Sequence, residues 1–142
     1  MQWDSTPNAG FTSEGVEPWL PVAEDYRTVN VAVQRDDPTS MLSFTRKLLA
    51  LRREFAALCL GRYRSVDGTP PSVFAYERMH GDSHYLIAIN FGDEESVVRL
   101  DGDGQGANGT VLLSTQMDRE GSESLASFRL RGNEGCIITL GA

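Results

Sequence analysis

Met1-Gln2-Trp3-Asp4-Ser5-Thr6-Pro7-Asn8-Ala9-Gly10-Phe11 opens the chain. The stretch has neither the 3.6-residue period of a helix nor the two-residue period of a strand. It is dense in aromatic, amide and carboxylate side chains, and Pro7, Asn8 and Gly10 mark a turn. The chain opens on it with no run-up, as expected of a loop cut from a longer protein. The expectation for the fold is an irregular segment built to lean on a body, followed by the remains of that body.

Outward from this stretch, turn signals continue at Gly15, Pro18 and Pro21, and Trp3, Phe11, Trp19 and Tyr26 recur without period. Residues 1–36 therefore read as one long loop, a length that is usually functional or wraps a larger body. Val29-Asn30-Val31-Ala32-Val33 reads as a short strand or extended strap. Residues 37–57 carry the best helix signal. Asp37 suits an N-cap and Pro38 the first helical position. Met41, Phe44, Leu48, Leu51 and Phe55 fall three and four apart, and so share a face. Arg46, Lys47, Arg52 and Arg53 take much of the remainder, where they suit the helix dipole. Gly61 ends the helical segment.

Beyond residue 61 the period changes to two. Strands are expected at 73–78, 85–91, 97–100, 111–114, 126–130 and 136–140, with turns at His80-Gly81-Asp82 and Gly92-Asp93. A Gly/Asp-rich loop fills 101–109. Short strands separated by turns indicate an antiparallel sandwich or barrel. The expected class is α+β, mainly β, with a boundary near residue 60.

Composition narrows the function. Hydrophobic residues make up 40% and charged residues 23% of the 142 residues, as in soluble globular chains. The net charge of -7 argues against nucleic acid or an anionic membrane as partner, since phosphate binding needs clustered Lys and Arg. No apolar run approaches the ~18–20 residues needed to span a bilayer. No apolar signal segment opens the chain, so a cytoplasmic location is expected. Cys59 and Cys136 lie far apart in apolar runs. One long-range disulfide is open to them, but two buried free thiols fit better.

Few constellations carry chemistry. The 101–109 loop lacks the closing acidic residue of a calcium-binding loop. His80 and His84 are four apart, but Gly81 and Asp82 break any helix that would align them on zinc. No metal or cofactor is expected. There is no Gly-x-Ser-x-Gly elbow. Asp4 and Glu14 are the carboxylates among the aromatics of the first loop, and nothing selects them as a catalytic pair. Trp3, Phe11 and Trp19 either stack on sugar rings or pin the loop to the body beneath it.

These residues in order resemble a known family. Met1-Gln2-Trp3-Asp4, Asn8-Ala9-Gly10-Phe11, Pro18-Trp19-Leu20-Pro21-Val22, Val29-Asn30-Val31 and Gln34 resemble the segment after the last barrel strand of α-glucosidases and oligo-1,6-glucosidases of glycoside hydrolase family 13. Asp37 to Leu42 and Leu48 to Arg52 resemble that family's final barrel helix. Ala57-Leu58, Gly61-Arg62-Tyr63, Val73-Phe74-Ala75-Tyr76 and Asn90-Phe91 resemble its C-terminal β-domain. The resemblance implies that residues 1–60 are the tail of a (β/α)₈ catalytic barrel, with a loop at 1–36 and the last helix at about 37–57. Residues 61–142 would then be an antiparallel β-sandwich.

It further implies a retaining α-glucosidase that removes terminal α-linked glucose from oligosaccharides. Its Asp nucleophile, Glu acid/base and third Asp would sit on barrel strands upstream. A barrel needs ~250 residues, so this chain would lack them and be inactive alone. By the same analogy Trp3, Asp4, Phe11 and Trp19 are the candidate substrate contacts. The expected partners are the upstream barrel and an oligosaccharide, with self-association through the helix face if that face is left bare. The rival expectations are a stand-alone carbohydrate-binding or structural β-module and, within the family, a trehalose synthase or trehalose-phosphate hydrolase. The Pro18–Val22 pattern favours glucosidases over trehalose synthases.

Overall fold

The computed structural model describes residues 1–100 and 108–140. The Gly/Asp loop, apart from Asn108 and Gly109, lies outside the described residues. The chain divides into two compact units, Met1–Lys47 and Leu48–Ala142.

In the first unit a single 3-10 turn, Pro7–Gly10, and a short helix α1, Val31–Arg35, interrupt otherwise irregular backbone. Helix α1 corrects the expectation of an extended segment at 29–33. The β-branched residues there favour a strand, but Asn30 overrides them as an N-cap. Its side chain accepts a hydrogen bond from the Val33 N–H at 2.9 Å and donates to the Tyr26 carbonyl at 2.8 Å. The expected helical run over 37–57 resolves into three pieces. Asp37 accepts from the Thr39 N–H at 2.8 Å and from its hydroxyl, which closes a turn instead of starting a helix. Ser40 Oγ then accepts from the Ser43 N–H at 3.2 Å, and helix α2 runs Met41–Glu54 across the division between the units. Phe55 leaves helical geometry, and helix α3 follows as Ala56–Leu60. None of the residues of α2 is buried, and Met41 is 69% exposed.

The second unit is antiparallel. Strands β1 (Arg62–Ser65), β2 (Val73–His80), β3 (Ser83–Asn90), β5 (Asn108–Ser114), β6 (Gly121–Ser124) and β8 (Gly135–Leu140) form one sheet in the order β1-β2-β3-β8-β5-β6. Strands β4 (Ser96–Val98) and β7 (Phe128–Leu130) pair in a second, small sheet. The period of two sets the burial. Val73 and Ala75 of β2, Leu86 and Ala88 of β3, and Cys136, Ile138 and Leu140 of β8 turn to one face. There they join Val98, Phe128 and Leu130 of the small sheet in one core. The other face of the large sheet carries Tyr85 and Ile87, covered by Ala57 of α3. The ring of Phe55 packs 5.4 Å from that of Tyr85, and this contact accompanies the break in the helix.

Both cysteines are free, but only Cys136 is buried. Burial pushes the Cys136 thiol up to about 12, which keeps it protonated and inert. Cys59 corrects the expectation of two buried thiols. In a one-turn helix the buried residue is Ala57, and a residue two positions on lies roughly 200° around the axis, on the opposite side. Among the described residues, no helix is long and apolar enough to cross a membrane.

Candidate functional site

The first unit is held together by backbone groups of the opening stretch. Helix α1 has unpaired N–H groups at its start, as any helix does. Val31 N–H donates to the Gln2 carbonyl at 3.0 Å and Ala32 N–H to the Trp3 carbonyl at 3.0 Å, so residues 2–3 satisfy that helix end. Gln2 Nε2 donates to Asp25 Oδ1 at 3.1 Å, a second tie from the same stretch. Trp3 N–H then donates to the Ala9 carbonyl at 3.0 Å, which folds residues 4–8 into a closed turn.

That turn is strained. Asn8, Ala9 and Gly10 all adopt left-handed backbone, with φ of 63°, 53° and 73°. Such conformations cost of order 1–3 kcal/mol for non-glycine residues and persist only where the surroundings impose them. Here the imposing group is the Asn8 amide. Its Nδ2 lies 2.9 Å from Thr12 Oγ1, 3.1 Å from the Ser13 carbonyl and 2.8 Å from the Val16 carbonyl. Ala9 is wholly buried within the turn.

Asp4 sits on this turn. Its Oδ1 accepts from the Thr6 hydroxyl and, at 2.9 Å, from the Thr6 N–H. These bonds hold its carboxyl below the usual carboxylate range, so it is an anion at neutral pH and is unsuited to donate a proton. A Cβ on Gly10 would lie 3.0 Å from Asp4 Oδ2 and 3.0 Å from Trp3 Cβ, so Trp3, Asp4 and Gly10 form one close group. Phe11 follows it directly, its N–H donating to the Asn8 carbonyl at 3.0 Å. The side chains of Trp3 and Phe11 are about half exposed. Trp19 stands apart from this hydrogen-bonded turn and is 92% exposed. Of the four candidate contacts, the structure ties Trp3, Asp4 and Phe11 to one turn and leaves Trp19 presented to solvent.

Two buried carboxylates in the second unit had no distinctive sequence signal. Glu134 is fully buried and Glu77 nearly so. Glu77 meets Arg64 across β1–β2, and its Oε2 lies 3.0 Å from His84 Nε2. Burial pushes the Glu77 carboxyl up, but hydrogen bonds from Arg64 and His84 more than reverse this, and it stays below the usual range. Among the described residues, no group of three or more His, Cys, Asp or Glu is arranged to hold a metal ion.

Residues 1–61 match the family model of the alpha-amylase catalytic domain. Over nearly its whole length the chain is similar to part of the glucosidases of glycoside hydrolase family 13. It is 33% identical over 140 residues to the oligo-1,6-glucosidase of Parageobacillus thermoglucosidasius, covering 99% of this chain and 24% of that protein. It is also 33% identical, over 143 aligned positions, to the trehalose-6-phosphate hydrolase of Bacillus subtilis, covering 99% of this chain and 24% of that protein. The crystal structure of the trehalulose synthase from Pseudomonas mesoacidophila MX-45 superposes with a TM-score of 0.84 at 33% identity, over 98% of this chain and 24% of that one. The chain thus spans about a quarter of the length of the proteins it matches.

Proposed function

We propose that this chain is the terminal portion of a retaining α-glucosidase, one that hydrolyses terminal α-linked glucose from oligosaccharides in carbohydrate metabolism. In this reading residues 1–60 complete a catalytic barrel and residues 61–142 form a β-sandwich that stabilises it. The nucleophile, the acid/base and the third carboxylate belong to the part of the enzyme outside this chain, which is inactive alone. The observation that carries the reading is the extent of the matches. The catalytic-domain model matches residues 1–61, while the family 13 relatives align with nearly the whole chain, yet only a quarter of each relative is covered. The bare faces of α2 fit an element made to pack on neighbours outside the chain. A cytoplasmic location is part of the same proposal.

In this setting Trp3, Asp4, Phe11 and Trp19 lie near the substrate mouth. Asp4 serves there as an anionic acceptor for sugar hydroxyls, which suits its ionised state. Turnover of p-nitrophenyl α-glucoside, maltose, isomaltose and trehalose 6-phosphate, assayed with this chain and with the enzyme that contains it, tests the proposal. Activity from the 142 residues alone refutes the claim of absent catalysts.

The equal identity to a trehalose-6-phosphate hydrolase supports that specificity as the second reading within the family. Preferential turnover of trehalose 6-phosphate decides for it. A stand-alone binding module predicts calorimetric binding of maltose or isomaltose that is lost in Trp19→Ala, with no turnover in any context.

A further inference from the structure

We propose that Asn108 is a site of spontaneous deamidation by water, at which the main chain at the head of β5 is rerouted through the asparagine side chain. The proposal concerns this chain's own covalent chemistry and stands apart from its reading as part of a glucosidase.

Asn108-Gly109 is the one Asn-Gly pair in the sequence. The reaction needs the Gly109 nitrogen to reach Asn108 Cγ. A following residue without a Cβ leaves that approach open and the backbone free to turn. Packing fixes the glycine: a Cβ at 109 would lie 2.6 Å from Ile138 Cγ2, 3.0 Å from the Thr139 carbonyl oxygen and 3.1 Å from Leu125 Cδ2. The core thus dictates the residue that makes Asn108 reactive.

Strand register leaves the reaction room. Gly109 is paired on both sides, with Glu123 of β6 and Leu140 of β8. Among the described residues Asn108 is paired on one side, with Ser124. It is the first residue of β5, Ser124 is the last of β6, and β6 is an edge of the sheet. Such terminal pairs open at the lowest cost in a fold. Asn108 is also exposed, so water reaches it. The other asparagines are restrained twice over. Asn8, Asn30, Asn90 and Asn133 precede Ala9, Val31, Phe91 and Glu134, whose side chains crowd the same approach. Their Nδ2 groups donate to the Val16, Tyr26 and Glu94 carbonyls and, at 3.1 Å, to Asp93 Oδ1.

In the first step the Gly109 nitrogen gives its proton to hydroxide and bonds to Asn108 Cγ. The Cγ–Nδ2 bond breaks, the leaving nitrogen takes a proton from water, and ammonia departs with hydroxide regenerated. A five-membered succinimide remains. Water then opens the ring at either carbonyl. Attack at Cγ breaks the new bond and leaves an aspartate. Attack at the main-chain carbonyl carbon breaks the original peptide bond and leaves an isoaspartate. Nothing is oxidised or reduced. The isoaspartate adds a methylene to the backbone, which takes residue 108 out of register with Ser124, and a carboxylate to a chain already at -7.

The test incubates the 142-residue chain in mildly alkaline buffer, folded and, in parallel, unfolded in urea. Peptide mapping by mass spectrometry follows the exchange of amide NH2 for OH at each asparagine, and labelling by an isoaspartate-specific methyltransferase reports the rerouted product. In the folded chain Asn108 is expected to convert at least ~fivefold faster than any other asparagine, since their amides must first give up hydrogen bonds. It should also convert within about tenfold of its own rate in urea, as a fraying end pair allows. Asn108→Gln, which could close only a six-membered ring, is expected to lose the isoaspartate label at an unchanged melting temperature. A folded chain in which Asn108 stays intact while the urea sample converts overturns the proposal, because the strand then guards the site. Uniform conversion across the asparagines overturns it as well, as does a label undiminished in Asn108→Gln.

Discussion

Arg131 grips Glu134 at both ends of its carboxylate. Its backbone N–H donates to Oε2 at 2.9 Å and its Nε to Oε1 at 3.1 Å. Arg131 Nη2 also donates to Oε1, and Arg119 Nη1 adds a further bond to Oε2 at 3.1 Å while donating to the Arg129 carbonyl at 2.8 Å. Glu134 is fully buried, so these bonds replace water entirely. Its own carbonyl accepts from Asn90 N–H at 2.8 Å, which fastens the β7–β8 turn to the end of β3. Removing one partner of a buried ionic group leaves the others uncompensated and costs ~3–5 kcal/mol. Glu134→Gln keeps the shape and loses the charge, and is expected to destabilise the β-domain by about 3 kcal/mol in urea unfolding. A change under about 0.5 kcal/mol would show that the charge is dispensable.

The same cluster contributes to the loss of stability in acid. Asp118 receives two guanidinium bonds from Arg131, both at 2.7 Å, and these hold its carboxyl at about 2 against an ordinary 3.8. For Glu134, burial pushes the carboxyl up, but the Arg131 bonds outweigh it and the net shift is downward from 4.5. A carboxyl whose folded value is depressed stabilises the fold above its unfolded value, and that contribution is lost as the pH falls through the folded one. Stability is therefore flat at neutral pH. It declines below the ordinary carboxylate values, with the Asp118 share gone once the pH passes about 2. Arg131→Met is expected to lower the neutral plateau and flatten the slope below pH 3.8. Urea midpoints measured against pH in both proteins check this, and parallel curves would refute it.

Which parts of this structure the sequence discloses follows from the kind of signal each part uses. Strands β2, β3 and β8 are legible because alternate residues enter a core, and that alternation is written in Val73, Ala75, Leu86, Ala88 and Ile138. Strands β1 and β6 are the two edges of the sheet. Arg62-Tyr63-Arg64-Ser65 and Gly121-Ser122-Glu123-Ser124 bury no apolar face, so they show no period, and the expected six strands become eight among the described residues. The stretch 126–130 divides for a related reason: Leu125–Ser127 forms a 3-10 turn that buries Leu125, and only Phe128–Leu130 pairs.

In the first unit the opening stretch is recognisable as a turn, but its mechanics depend on contacts far along the chain. Nothing local to Gln2 and Trp3 says that their carbonyls end a helix at Val31 and Ala32. Asn8 and Asn30 are conspicuous as motif letters, yet their roles as clamp and cap emerge only from where their amides reach. The grouping of Trp3 and Asp4 around Gly10 is likewise a product of left-handed backbone that three residue names only hint at.

Asn90 shows what an amide supplies that a carboxylate cannot. It is buried at the end of β3, where Nδ2 donates to the Glu94 carbonyl at 2.7 Å and the Arg131 carbonyl at 3.0 Å. Its Oδ1 accepts from the Gly92 N–H at 3.0 Å. Asn90→Asp keeps the volume but sets a carboxylate oxygen against two carbonyls, with both donors lost. The expected cost is about 3 kcal/mol at neutral pH, from two orphaned acceptors and an unpaired buried charge. The deficit should shrink as the pH falls, because a protonated carboxyl regains one donor. A deficit independent of pH between neutrality and the carboxylate range counts against this account.

The turn at residues 8–10 makes the sharpest demand in the first unit. Gly10 stands at φ +73°, and an added Cβ would lie 3.0 Å from both Asp4 Oδ2 and Trp3 Cβ. Gly10→Ala therefore combines backbone strain with displacement of the Trp3 and Asp4 side chains. A local loss of about 1–2 kcal/mol is expected. The Asn8 amide is the group that holds this turn against residues 12–16. Asn8→Ala removes that hold and is expected to raise the rate of proteolytic cleavage between residues 8 and 20 by about tenfold, the equivalent of about 1.4 kcal/mol of local opening. Ala9→Gly relaxes a left-handed residue that has only a methyl group to lose, and serves as the control: cleavage should change little. Equal rates in Asn8→Ala and the unmodified chain would mean that the turn keeps its shape without the clamp.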